Sequence, residues 1–352
     1  MARDWTLTAS ESFADALTDS LGVLGWSARA ARAALAAARD PDTPPGRVDI
    51  AALESMFRAG ERATGDSTLA LMAGHRFRVS THGQTGSIYA YARDLGDVIA
   101  LNARYQGVAI DLGTAVLAQR PRGPAMEFRL HARSAAGTAA HPQCAIMLMG
   151  AYVTAYRWLN WGSGEDLVAA GIPAPGTAAL RDAAQALFGC PVDFDQSVGF
   201  LVFTERAMQT PLSTADVEKR ARAVARLDRL QGAEAHRQSF QRAVSAAIRG
   251  AMGSDAVTLD TVAARMGLTR SALRRRLREH DLTFREQTDR VRRTVMAERF
   301  GKGDSLADVA MALGYNDQAA FNRAVKRWYG VPPGQWTPDT PMLRHKDGSD
   351  DG

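Results

Sequence analysis

Val262–Leu277 reads VAARMGLTRSALRRRL, and Val309–Val325 reads VAMALGYNDQAAFNRAV. The two stretches align from valine to glycine at a constant offset, after which one extra residue shifts the second by one position. Each has the parts of a helix-turn-helix: a short helix with small residues on its packing face, a glycine where the chain must turn sharply, and a second helix with an apolar stripe. Thr269 and Asn316 stand two residues past the glycine, where a short polar side chain caps exposed backbone N–H groups. In the first copy Leu273 and Leu277 lie four apart and share one buried face. Ser271, Arg274, Arg275 and Arg278 occupy the remaining face. In the second copy Phe321 and Val325 bury, leaving Gln318, Asn322, Arg323 and Lys326 outward.

Polar residues that miss the core of such a helix are the ones able to reach base edges in a major groove. Arginine suits guanine through its planar fork, and glutamine or asparagine suits adenine. A lone Arg274-Arg275-Arg276 run would read as a solvated charged face. Its place inside a duplicated, capped and apolar-striped unit turns it into a candidate DNA contact.

On these motifs, residues 236–338 resemble the DNA-binding domain of the AraC/XylS family of bacterial transcription regulators. That family joins two helix-turn-helix units through one long helix, which here would run from Phe284 to Phe300. Its closing signature is matched by Phe321 through Gly330-Val331-Pro332-Pro333. The resemblance implies that the two recognition helices enter successive major grooves on one face of the duplex. Carried over by position, the base readers are Ser271, Arg274 and Arg275, then Gln318, Ala319, Ala320, Asn322 and Arg323. Ala319 and Ala320 depart from the usual polar pattern. Alanine touches a thymine methyl but its side chain forms no hydrogen bond, so the first unit is expected to carry more of the specificity.

Charge points the same way. The chain has 43 Lys+Arg against 38 Asp+Glu, a net of +5; residues 255–338 hold 15 basic and 10 acidic side chains, again +5. The remainder sums to zero, so the positive field is confined to the segment that would face phosphates.

Length and composition bound the rest. A chain of 352 residues, 46% hydrophobic and 23% charged, suggests two folded domains. Cys144 and Cys190 stand far apart among apolar neighbours and read as buried structural thiols in a reducing cytoplasm. No CxxC or HExxH spacing appears, so neither a metal nor another cofactor is expected. The N-terminus lacks the apolar core of a secretory signal, and no run reaches the roughly 18 to 20 apolar residues of a membrane helix.

The first 210 residues read as a mixed domain. Helical patterns cover Phe13–Leu21, Ala28–Ala38, Ile50–Ala59, Ile88–Tyr105, Gln143–Leu159 and Leu180–Leu187. Strand patterns cover Val108–Leu112, Thr114–Ala118, Met126–His131, Val192–Phe194 and Phe200–Phe203. Leu187–Phe194, Leu201–Phe203 and the segment from Gly86 to Tyr105 resemble the N-terminal domain of AraC-type regulators of the ornithine-use group, which is not the cupin barrel. That resemblance implies a part that senses a small molecule or mediates dimerisation. Tyr152, Tyr156, Arg157 and Trp161 are the candidate effector residues, with Trp158, Tyr89, Tyr91, Tyr105 and His131 as further candidates. Tyr152, Tyr156 and Asn160 share one helical stripe, a pattern that plain core also gives. Arg157 could meet a carboxylate bidentately.

From Ala215 to Gly232 an apolar stripe (Val217, Ala221, Val224, Leu227) predicts a linker helix, a dimer seam, or both; at roughly four turns it is short for an independent coiled coil, which favours packing on its own domain. Gly232 is expected to separate it from a helix over Arg237–Met252. The expected fold class is thus an α+β N-terminal sensor domain, residues 1–210, and a linker helix, 211–235. An all-α DNA-binding domain, 236–338, has two helix-turn-helix motifs joined by a long helix, and a flexible tail follows, 339–352. The expected function is a cytoplasmic, ligand-responsive transcription regulator; the resemblance implies an activator, the family's commoner role, and the sequence leaves repression open. Its partners would be double-stranded promoter DNA, RNA polymerase, an unknown small-molecule effector and a second copy in a homodimer. An enzyme with a DNA-binding appendage would need a metal–thiolate cluster or a supported nucleophilic cysteine, which two isolated cysteines do not supply. A nucleoid-structuring protein without sequence preference would have no use for Arg274 and Arg275 as base readers.

Overall fold

Residues 142–159 carry a single charged side chain, Arg157. A helix apolar nearly all round has to be buried on every side. In the computed structural model of this chain it is the central helix of the N-terminal unit. The structure describes residues 7–40, 43, 44, 46–77, 85–132, 134, 137–159, 166–252, 257–280, 282–315, 317–337 and 340. The chain divides into two compact units, residues 1–231 and 232–352.

The N-terminal unit begins with β1 (Thr8–Ser10), α1 (Glu11–Val23), α2 (Ala28–Ala38), β2 (Arg47–Asp49), α3 (Ile50–Thr64) and α4 (Leu69–His75). Ser10, Ser27 and Asp49 cap the first three helices by accepting from the N–H three residues on. Then come α5 (Gly86–Ala90), α6 (Leu95–Ala109), β3 (Gly113–Arg120), β4 (Gly123–Leu130) and the central helix α7 (Pro142–Leu159). β5 (Leu167–Gly171), α8 (Ala178–Phe188), β6 (Val192–Asp193), β7 (Gly199–Phe203) and α9 (Glu205–Gln209) complete the set. Five strands form one sheet in the order β3-β4-β7-β5-β6, antiparallel except for the β5–β6 pair. β1 and β2 pair separately.

α7 packs between this sheet and α4. On the sheet side the Tyr156 ring stands 4.7 Å from Phe203 and Tyr152 5.8 Å from Phe128. On the other side Gly74 of α4 and Gly150 of α7 face each other's backbones. A Cβ built on Gly150 would lie 2.7 Å from the Leu71 carbonyl oxygen, so only glycine permits this approach. Cys144 and Cys190 are both buried, and burial raises the thiol pKa of each.

Several boundaries differ from the sequence reading. The single helix expected over Ile88–Tyr105 is two, because Asp94 caps a new start at Leu95 by accepting from Asp97 N–H at 2.7 Å. Val108–Leu112 is not a strand: α6 runs to Ala109, and Ile110 makes one isolated bridge to Ala9. The short elements β1, β2, α4, β5 and α9 had no periodic signal long enough to read.

The linker is also corrected. α10 (Val217–Ala251) is one helix of 35 residues and passes through Gly232 without interruption. An interior glycine costs about 1 kcal/mol relative to alanine, which packing on either side offsets. Leu227, Val224 and Leu230 join a cluster with Ile88, Leu101 and Tyr105 in the N-terminal unit. Phe240, Val244 and Ile248 belong to the core of the C-terminal unit. Residues 211–231 therefore pack as part of the first unit, and the unit boundary falls inside α10. Val217 and Ala221, expected on the buried stripe, are exposed.

The C-terminal unit continues with α11 (Leu259–Arg265), α12 (Arg270–Glu279), α13 (Phe284–Gly301), α14 (Leu306–Ala312) and α15 (Gln318–Tyr329). Two helix-turn-helix pairs, α11–α12 and α14–α15, flank the long α13. Gly267 and Gly314 take left-handed φ values of 66° and 72° at the two turns. Arg249 reaches Glu298 on α13 through two bonds of 2.9 Å, and Arg327 on α15 bonds Asp289 at 3.1 Å. Arg292 donates to the Leu313 carbonyl at 3.2 Å and stacks over Tyr315, fixing the second turn to α13. The whole chain is thus an α+β unit followed by an all-α unit.

Candidate DNA interface and effector cavity

Every helix of the double motif starts on a short polar cap. Thr258 and Thr283 form capping boxes with Thr261 and Glu286. Thr269 accepts from Ala272 N–H at 3.2 Å, and Ser305 accepts from Asp308 N–H. Asp317 accepts from Ala320 N–H at 2.6 Å. Asp317, not Asn316, is therefore the cap of α15, and Asn316 lies outside the described residues.

In α12 the helical period sends Leu273 and Leu277 into the core, which leaves Ser271, Arg274, Arg275 and Arg278 exposed. Arg274 and Arg278 are one turn apart and make no ion pair among the described residues. Arg275 lies 3.5 Å from Glu279, an exposed pair that holds it weakly. Two further arginines, absent from the sequence-based set, join this face. Arg270 and Arg285 line a hollow with Arg274, Arg278 and Thr283, beside Leu277 and Phe284. Arg285 sits on α13, so no spacing within the motif could have found it.

In α15, Phe321, Ala324, Val325 and Trp328 bury. Gln318, Ala319, Asn322, Arg323 and Lys326 are exposed, while Ala320 is half-buried. The polar surface of α15 is thereby carried by Gln318, Asn322, Arg323, Lys326 and Arg327, the last tied to Asp289.

The N-terminal unit holds a cavity with room of about 40 Å³ for the centre of a water molecule, within about 520 Å³ of atom-free space that includes its mouth. Met126, Leu201 and Phe203 of the sheet form one side. Leu95, Val98, Ile99 and Asn102 of α6, Tyr152, Ala155, Tyr156 and Leu159 of α7, and Tyr89 of α5 form the rest. Tyr152 and Tyr156 thus meet in one place, joined by Tyr89. Asn102 was missed: it shares α6 with Asp97, Arg104 and Gln106, and nothing in the sequence singles it out from these polar neighbours. Burial raises the phenol pKa of Tyr89 and Tyr152, so both stay neutral.

The remaining candidates lie elsewhere. Arg157 does not line the cavity: it is half-buried near Gly189, and its charge lowers the Cys190 thiol against the larger raising effect of burial. Trp158 is exposed at the end of α7. Tyr105 donates to Asp228 on α10 at 2.6 Å, Tyr91 lies under the Lys219 ammonium, and His131 pairs with Asp111 at 3.1 Å. Trp161 and Asn160 lie outside the described residues.

Comparison with known proteins agrees with both units. A family model described as the arabinose-binding domain of the AraC transcription regulator, N-terminal, matches residues 26–212, and one described as a helix-turn-helix domain matches residues 262–338. The ornithine utilization regulator of Pseudomonas aeruginosa is 24% identical over 332 residues, covering 92% of this chain and 95% of that one. The HTH-type transcriptional regulator VirS of Mycobacterium tuberculosis is 30% identical over 161 residues, 45% of each chain. The crystal structure of the transcriptional regulator CdpR from Pseudomonas aeruginosa is 21% identical, covers 87% of this chain and 96% of that chain, and has a TM-score of 0.40. The first of these matches spans more than half of the sequence, and the chain belongs to the AraC family of DNA-binding transcription regulators.

Proposed function

We propose that this regulator reads promoter DNA through α12 and α15 and is an effector-responsive activator. The observation that carries the reading is the pair of capped helices, each with a buried apolar stripe and an exposed row of arginine or amide side chains. Ser271, Arg274, Arg275 and Arg278 contact the first major-groove site. Gln318, Asn322, Arg323 and Lys326 contact the second, with Ala319 and Ala320 offering only methyl contact. The effector binds in the N-terminal unit and alters promoter occupancy or polymerase contact through different affinities for two states. A second copy and RNA polymerase are the protein partners, the compartment is the cytoplasm, and no enzymatic step is part of the reading. Among the described residues no helix is long and apolar enough to cross a membrane.

The test is binding to the protein's own upstream region in excess random DNA, comparing wild type with Arg274→Ala/Arg275→Ala. A good bidentate arginine–guanine pair discriminates by about 1–3 kcal/mol. Specific binding should therefore weaken by at least about tenfold while the circular dichroism spectrum is unchanged. Equal affinity of the wild type for the upstream region and for random DNA, persisting when the assay is repeated with cell-extract metabolites, would favour an architectural role and defeat the reading.

A further inference from the structure

We propose that the N-terminal cavity accepts an uncharged, largely apolar small molecule that carries one hydrogen-bonding group, and discriminates against ions. The inference rests on the N-terminal unit being the effector-sensing part.

Among the described residues that line the cavity none is charged. An ionised molecule would be stripped of water there with no partner of opposite sign, at a cost of several kcal/mol. The charged residues of the adjoining helix α6 are already engaged. Asp97 is held by Arg220 through bonds of 2.7 and 2.6 Å, and Arg104 bonds Asp228 at 2.7 Å, both on the side that meets α10. The buried tyrosines cannot become counter-anions at neutral pH, because desolvation keeps their hydroxyls protonated.

What the cavity does offer is an under-bonded amide. Asn102 is 7% exposed. Its Nδ2 donates to the Tyr89 hydroxyl and its Oδ1 accepts from the Tyr152 hydroxyl, each at 3.3 Å. Both lie beyond the usual range for such bonds. The Tyr152 hydroxyl has its short contact elsewhere, 2.6 Å to Gln106 Oε1. Gln106, one turn along α6 and 5% exposed, leaves its Nε2 without a hydrogen-bond partner among the described residues. A buried polar group short of partners calls for an explanation. A hydroxyl or carbonyl entering beside Asn102 would take up its spare capacity, while the apolar remainder filled the space between α6, α7 and the sheet.

Such a molecule would lie directly against the cavity's walls. α6 is one of those walls, and its other face carries Leu101 and Tyr105 onto the first half of α10. Occupancy would therefore bear on the α6–α10 contact.

The test titrates the full-length protein with 4-propylphenol and with its anionic counterpart 4-propylbenzoate, read by calorimetry and by thermal shift. The expected result is saturable phenol binding at one site, at least tenfold tighter than the benzoate. Binding should be lost in Ala155→Phe, which fills the cavity from α7, and Asn102→Leu should reduce the preference for 4-propylphenol over propylbenzene. Val98→Phe serves if Ala155→Phe does not fold. No saturable phenol binding, benzoate binding as tight as the phenol, or phenol binding that survives both filling variants would overturn the proposal. Phenol binding that leaves occupancy of the upstream DNA unchanged would uphold the ligand class and count against the effector-sensing reading instead.

Discussion

A methyl group added at Gly74 would collide with the Met147 carbonyl oxygen, and its neighbours across the α4–α7 crossing are backbone atoms that cannot rotate away. Overpacking of a tight core costs typically 1–3 kcal/mol, and more where the backbone must move. Gly74→Ala is therefore expected to destabilise the N-terminal unit by at least about 2 kcal/mol, a fall of roughly 4–8 °C for a unit of this size. Gly107 in α6 is the contrasting case. It is exposed, and a Cβ there meets nothing within 4 Å. Gly107→Ala should leave the melting temperature unchanged or raise it slightly, since alanine is the better helix former. Melting curves of the two variants decide the point; equal melting temperatures would mean that α4 and α7 are not held by this contact.

Between elements, Asp97 is one of several ties between α6 and α10. Its carboxylate is nearly buried, which by itself would raise its pKa. The Arg220 guanidinium and the Arg93 backbone N–H outweigh burial and hold the pKa below the ordinary carboxylate value. A depressed folded pKa means that the pair's stability is fully present above the unfolded value of about 3.9 and is lost as pH falls through the lower folded value. Asp97→Asn should thus be less stable than wild type at pH 7, with a gap that narrows only below about pH 4. Urea unfolding at a series of pH values tests this, and a gap independent of pH would remove the carboxylate from the account. The same contact shows where reading from sequence stopped. Helices with strong local signals, such as Ala28–Ala38 with its alanine propensity and Gln143–Leu159 with its apolar run, were legible because the signal lies in neighbouring residues. The recognition helices were legible for the same reason. The continuity of α10 through Gly232 was not, because residues far apart in sequence decide it: Leu227 against Leu101 on one side, Val244 in the C-terminal core on the other. Strands of two or three residues such as β1 and β6 exist only through their partners, and Arg285 and Asn102 joined their sites through folding rather than spacing.

Across the whole molecule, a net charge of +5 that coincides with the net charge of residues 255–338 makes affinity for DNA a matter of counterions. Each phosphate neutralised releases condensed cations, giving a slope of about −0.9 per contact in log K against log salt. The two helices should differ in how substitutions act on that line. Lys326 stands near the C-terminal end of α15, exposed and without an ion pair among the described residues, as a phosphate contact would be. Lys326→Ala should reduce the slope by about 1 and weaken specific and random DNA alike. Arg274, on the capped half of α12, is assigned to a base edge. Arg274→Ala should lower the ratio of specific to random affinity by roughly tenfold or more, beyond any change in slope. Titrations of both variants against upstream and random duplexes from 50 to 200 mM salt separate the two roles. If Arg274→Ala weakened both duplexes equally, its guanidinium would be a phosphate contact, and sequence reading would have to be sought on α15 instead.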